Sequence, residues 1–83
     1  MGYTVYILYS KSCMKFYIGQ TQDIHNRLNE HNAEETTSIR HCIPWALVWK
    51  EELETRSQAM AIEKKIKSRG AERFLADFAI FLK

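Results

Sequence analysis

The sequence predicts a small α+β domain, a three-stranded antiparallel sheet flanked by three helices in the order β-β-α-β-α-α. Three observations carry this. Tyr3 to Ser10 alternates with a period of two and is rich in aromatic and β-branched residues, the signature of a strand. Thr55-x-x-Gln58 reads as a capping box that opens a helix. Phe74, Leu75, Phe78 and Leu82 fall at i, i+1, i+4 and i+8, which is one core-facing helical stripe.

In the first strand Tyr3, Val5, Ile7 and Tyr9 share one face, and Thr4, Tyr6, Leu8 and Ser10 the other. Lys11-Ser12-Cys13 interrupts the pattern and Phe16-Tyr17-Ile18-Gly19 resumes it, so the two strands form a hairpin. No Asn-Gly or Asp-Gly pins the turn type. A turn centred on Lys11-Ser12 sets Tyr6 across from Tyr17, with Gly19 on the same side. Glycine there lets another backbone or a ligand approach closely.

Asp23 suits a helix N-cap, and Ile24 and Leu28 form an i, i+4 apolar pair. Asn26, Asn29 and Asn32 are weak helix formers, which predicts a short helix of about Asp23 to His31. Ala33 to Cys42 has no periodicity and reads as loop. Pro44 opens a third strand in which Trp45, Leu47 and Trp49 alternate against Ala46, Val48 and Lys50. Ala59, Ile62 and Ile66 make the stripe of the second helix, with Glu63 at its margin, and Gly70 ends it.

Residues 1–83 are the length of one domain, and 46% apolar with 27% charged residues is globular composition. Cys13 and Cys42 show no metal or redox spacing and read as free thiols in a reducing cytoplasm. No basic segment precedes an apolar run at the N-terminus, so no signal peptide is expected. The longest apolar stretch, Phe74 to Leu82, is broken by Asp77 and too short for a bilayer. Net charge is only +2, yet Arg56, Lys64, Lys65, Lys67, Arg69 and Arg73 face just Glu63 and Glu72 over the same stretch. Such segregation suits one surface turned to a polyanion, and equally a solvated helix face.

The residues able to carry chemistry are Tyr6, Tyr17, Arg27, His31 and Glu63. A phenol serves as general base only if neighbouring positive charge lowers its pKa from near 10. Arg27 supplies such a field and binds phosphate with a planar fork. His31, one turn from Arg27, exchanges protons near neutral pH. Glu63 offers a divalent ion one hard oxygen ligand. Each has a plainer use: Arg27 pairs with Glu30 or Glu35, His31 sits at a helix end, Glu63 bridges to Lys67.

V-Y-I-L…F-Y-I-G-Q-T, then D-I-H-N-R-L-N-E-H-N and A-I-E-K-K-I-K, resembles the GIY-YIG nuclease superfamily over about Tyr3 to Leu75. Within it the chain looks like the small UPF0213 and UvrC-like (URI) endonuclease-domain proteins. The resemblance implies the GIY-YIG endonuclease fold and hydrolysis of phosphodiester bonds in DNA with one Mg²⁺ or Mn²⁺. Eighty-three residues leave little surface for reading a long sequence, which points to structure-selective cutting, as in repair or recombination, or to weak non-specific action. Carried over, Tyr6, Tyr17, Arg27 and His31 are catalytic and Glu63 holds the metal. Tyr6 deprotonates water, while Arg27 and Tyr17 stabilise the phosphoryl group. Gly19, Lys64, Lys65, Lys67, Arg69 and Arg73 are the candidate nucleic-acid contacts. No membrane and no small-molecule cofactor is expected.

The chain departs from the family pattern twice. The first motif reads Thr4-Val5-Tyr6 without Gly-Ile, and no asparagine follows Glu63. The second departure supports an alternative, a nucleic-acid-binding module with little or no catalysis. A third reading is a protein-interaction domain using Trp45, Trp49 and the aromatic third helix.

Overall fold

The computed structural model of the chain describes residues 2–32 and 42–77, with His31 described by its backbone alone. Strand β1 (Tyr3–Ser10) lies between β2 (Lys15–Thr21) and β3 (Trp45–Leu53), and both neighbours run antiparallel to it. Helices α1 (Ile24–Asn32), α2 (Arg56–Arg69) and α3 (Ala71–Asp77) complete the predicted order.

As the central strand, β1 is covered on both faces. Val5 and Ile7 join Ala59 and Ile66 of α2 and Ala71, Phe74 and Leu75 of α3 in one apolar layer. Tyr6 and Leu8 point the other way, against Ile24 of α1, Cys42 and Trp45. Burying such side chains contributes about 1.5–3 kcal/mol each, so the alternation read in the sequence stabilises two layers at once.

The hairpin register differs from the sequence expectation by two residues. Ser10 pairs with Lys15, so Tyr6 lies across from Gly19, and Tyr17 across from Leu8. The turn takes four residues, 11–14, and Met14 adopts a left-handed φ of 55°. Without a glycine to pin a two-residue turn, the loop lengthened. Because the slip is an even number, every side chain keeps its predicted face.

The third strand departs further. Ile7 pairs with Trp49 while Leu8 pairs with Leu47, leaving Val48 as the extra residue of a bulge. Trp45 and Leu47 therefore pack on the α1 side, and Val48 and Trp49 on the α2 side. Trp49 stands edge-on to Phe74 at 4.9 Å, and Trp45 is buried. The two tryptophans thus serve separate cores rather than one exposed interaction patch.

Helix ends follow their residues. The Asp23 carboxylate accepts from the N–H of Asn26 at 3.1 Å, capping α1. Thr55 and Gln58 form the complete capping box of α2. Gly70 closes that helix at φ 94°, a conformation a side chain would resist, and its N–H donates to the Ile66 carbonyl at 2.8 Å. Asn32, the last residue of α1, accepts from Trp45 N–H at 2.6 Å and donates to the Trp45 carbonyl at 3.2 Å. Phe78, Leu82 and the predicted loop over residues 33–41 lie outside the described residues.

Cys13 and Cys42 are not free thiols. They form a disulfide with their Cα atoms 5.2 Å apart. The longer hairpin turn carries Cys13 to the segment just before β3, a proximity invisible in a sequence separation of 29. Buried Ser10 ties the same corner, donating Oγ to the Cys42 carbonyl and accepting from Cys13 N–H. The thiol argument for a reducing compartment falls with this bond. Among the described residues no helix is long and apolar enough to cross a membrane.

Candidate active site

Gly19 and Gln20 are neighbours on the edge strand β2, so they face opposite sides of the sheet. The candidate residues gather around this pair from both sides.

On the α1 side Tyr6 lies over Gly19. A Cβ at position 19 would stand 2.7 Å from the Tyr6 hydroxyl, 3.0 Å from Cζ and 3.4 Å from Cε1 of Tyr17. The space expected to admit a ligand is filled by the protein's own phenol. The rings of Tyr6 and Tyr17 are nearly parallel, 16° apart with centroids at 6.4 Å, and Tyr17 meets Trp45 edge-on at 6.2 Å. Tyr6 is 2% exposed and Tyr17 39%, so Tyr17 reaches solvent while Tyr6 is enclosed.

Arg27 rises from α1 as an exposed side chain. Glu30 accepts from Asn26 at 3.1 Å, not from Arg27, and Glu35 lies outside the described residues. His31 follows one turn later on the same helix; its side chain also lies outside the described part.

On the α2 side Gln20 donates Nε2 to Glu63 Oε1 at 3.3 Å, and Lys67 donates Nζ to Oε2 at 2.8 Å. The Glu63 side chain keeps 19% of its surface exposed. It borders a cleft of about 420 Å³ lined by Gln20, Met60, Ala61, Glu63, Lys64 and Lys67. The Glu63–Lys67 bridge anticipated as the plainer use of this glutamate is formed.

Charges from both faces act on one atom. Burial pushes the Tyr6 hydroxyl up to about 12; Tyr17 adds to the rise, Arg27 opposes it, and Glu63 and Glu30 reinforce it. Arg27 and Glu63 therefore lie within electrostatic reach of the same phenol, although their helices cover opposite faces of the sheet. The Arg27 field does not win, because withdrawing the phenolate from water outweighs one exposed guanidinium. At neutral pH Tyr6 is a hydrogen-bond donor, not a resting base. That corrects the expectation of a lowered pKa.

The basic run divides. Arg69 gives both Nε and Nη2 to Asp77 at 2.9 Å each, so its fork is already occupied, unlike the phosphate contact expected of it. Lys67 is engaged by Glu63. Lys64, Lys65 and Arg73 are exposed and make no ion pair among the described residues. Gln20 was not among the sequence candidates. Its signal lay in the β2 face that reads Phe16, Ile18, Gln20, where an amide ends an apolar alternation.

An edge strand with a glycine under a tyrosine pair, an arginine helix on one face and a glutamate helix on the other define a GIY-YIG nuclease domain. Residues 2–73 match the GIY-YIG catalytic domain, and the chain belongs to that family. It is also similar to a UPF0213 protein from Bacillus halodurans solved by solution NMR. The two share 25% identity with a TM-score of 0.59, over 95% of this chain and 84% of that one. No curated protein matches this chain.

Proposed function

We propose that this protein is an endonuclease that hydrolyses phosphodiester bonds in DNA at the edge of β2. The observation that carries this is the meeting at β2 of the Tyr6–Tyr17 pair over Gly19 on one face and Glu63, joined to Gln20, on the other. Phosphodiester hydrolysis needs an activated water, neutralised charge on the phosphoryl oxygens and a metal or acid for the leaving oxygen, and a guanidinium, a carboxylate and hydroxyls can meet those needs.

Among the described residues no three His, Cys, Asp or Glu side chains converge as a metal cage. The donor set still suits Mg²⁺ or Mn²⁺, because magnesium is commonly held by one or two carboxylates, with water and substrate phosphate completing its shell. Glu63, partly exposed at the mouth of its cleft, is the residue that would hold the ion. When bound, the ion neutralises charge on the leaving oxygen.

Arg27 grips the non-bridging oxygens with its fork, and exposed Tyr17 donates to the phosphoryl group. Tyr6 stays protonated and orients the attacking water through its hydroxyl. His31, whose ordinary pKa lies near neutrality, takes the proton. Lys64, Lys65 and Arg73 hold the flanking backbone, and branched or damaged DNA is the preferred substrate.

The test incubates the protein with supercoiled, single-stranded and branched DNA, with Mg²⁺, Mn²⁺ or chelator. Arg27→Ala and Glu63→Ala should each lower cleavage by about 10²–10³-fold with unchanged thermal unfolding. Cutting that survives both substitutions removes the site. The absence of an asparagine after Glu63 favours one second reading, a binding module without catalysis. Its mark is salt-sensitive DNA binding with no nicking under any divalent ion.

A further inference from the structure

Both oxygens of the Glu63 carboxylate already have donors. Gln20 Nε2 reaches Oε1 at 3.3 Å, and Lys67 Nζ reaches Oε2 at 2.8 Å from one turn further along α2. The two donors differ in what they do to an arriving cation. Gln20 is neutral and ties the carboxylate to β2 without opposing positive charge. Lys67 carries a full positive charge, and an ammonium about 4 Å from a divalent ion weakens that ion's binding by roughly 30-fold even at the dielectric of water. The ion and Lys67 do not share this carboxylate.

We infer that Lys67 is an internal stand-in for the divalent ion. It neutralises Glu63 in the metal-free protein, and the arriving ion displaces it into the cleft, where its freed ammonium meets a substrate phosphate. The competition follows from the geometry; the phosphate as its destination rests on the nuclease reading above.

Three features suit an exchangeable contact. The Lys67 side chain is 55% exposed, and pairs so open to water favour association by at most about fivefold. Lys67 lines an open cleft of about 420 Å³ shared with Lys64, so the displaced ammonium has room beside a second positive charge. The next basic residue on the helix shows the opposite design, for Arg69 is locked onto Asp77 by two hydrogen bonds of 2.9 Å. A planar fork holds its partner in a fixed pose, whereas a single ammonium on a flexible stem releases easily.

The experiment titrates Mn²⁺ into the whole protein and reads the free aquo ion by electron paramagnetic resonance. Lys67→Met should tighten Mn²⁺ binding by roughly 3–10-fold at low ionic strength, and the gain should shrink at about 0.5 M salt. Lys65→Met removes the same charge from an exposed position without a contact to Glu63 and should gain much less. Glu63→Gln supplies the baseline. Equal or weaker Mn²⁺ binding by Lys67→Met, an equal gain from Lys65→Met, or no binding by any form overturns the inference. Cleavage by the parent protein alongside unchanged Mn²⁺ affinity in Lys67→Met defeats this inference alone. Tightened Mn²⁺ binding in a protein that never cuts DNA upholds the competition and defeats the nuclease reading alone.

Discussion

The two faces of the sheet are built from alternate residues of one strand, yet they do different work. The α2 face under β1 is dry packing, with Val5 and Ile7 fully buried against Ile66, Phe74 and Leu75. The α1 face mixes apolar packing with a buried hydroxyl, since Leu8 and Trp45 share their layer with the Tyr6 phenol. Among the described residues the division breaks down at β2, where Glu63 comes from the packing side to meet Gln20. The central strand holds the Tyr6 phenol in place because its other face is fully committed to the core. The candidate residues of both faces meet where that core runs out, at the edge.

Four changes sharpen or break this contrast. The largest effect belongs to Ile66→Ala, which empties a fully buried position and should cost roughly 2–5 kcal/mol in denaturant unfolding. Cleavage per folded molecule should be retained, and the milder Ile66→Val covers the case in which the alanine variant does not fold. Lost activity in folded Ile66→Val would show that the faces are not separable. Next is reduction of Cys13–Cys42, which opens a loop with a sequence separation of 29. The chain-entropy estimate for such a loop is about 3–4 kcal/mol, read as a lower unfolding midpoint with reductant than without.

The third change concerns pH. Folding raises the Tyr6 pKa from 10.0 to about 12, so the folded state favours the neutral phenol. The stabilisation is fully present below pH 10 and is lost as pH climbs through 12, amounting to about 2–3 kcal/mol. The parent should lose that much more stability than Tyr6→Phe across this range. Parallel curves would mean that Tyr6 is not enclosed as described. The smallest effect is Gly19→Ala, whose Cβ would press on the Tyr6 hydroxyl and should cost roughly 1–3 kcal/mol. Combining it with Tyr6→Phe removes the atom in the way, so the double variant should recover part of the loss. Strict additivity would place the strain elsewhere.

What the sequence disclosed and what it hid divide along physical lines. Local signals were legible: the alternation of Tyr3 to Ser10, the Asp23 cap, the Thr55–Gln58 box and the positive φ at Gly70 all depend on neighbours within a few residues. The family was legible because its motif residues keep their order along the chain. The bulge at Val48 was not, since it arises from pairing with β1 and leaves no mark in the composition of β3. Nor was the Cys13–Cys42 bond, which exists because a four-residue turn carries one cysteine to another far along the chain. The rise of the Tyr6 pKa escaped for a related reason. Sequence names the nearby guanidinium but does not report how completely the phenol is withdrawn from water.

Helix α1 begins where one edge strand ends and finishes with Asn32 clasping the backbone of the other. It is therefore a strut laid across the full width of the sheet. Nine residues of helix are about 13–14 Å long, and three strands span about 9–10 Å between the outer two. The strut is long enough to cross that gap, with Arg27 near its middle. Lengthening or shortening it by a turn would miss the far abutment and swing the guanidinium away from the phenol, so the width of the sheet dictates the length of this helix.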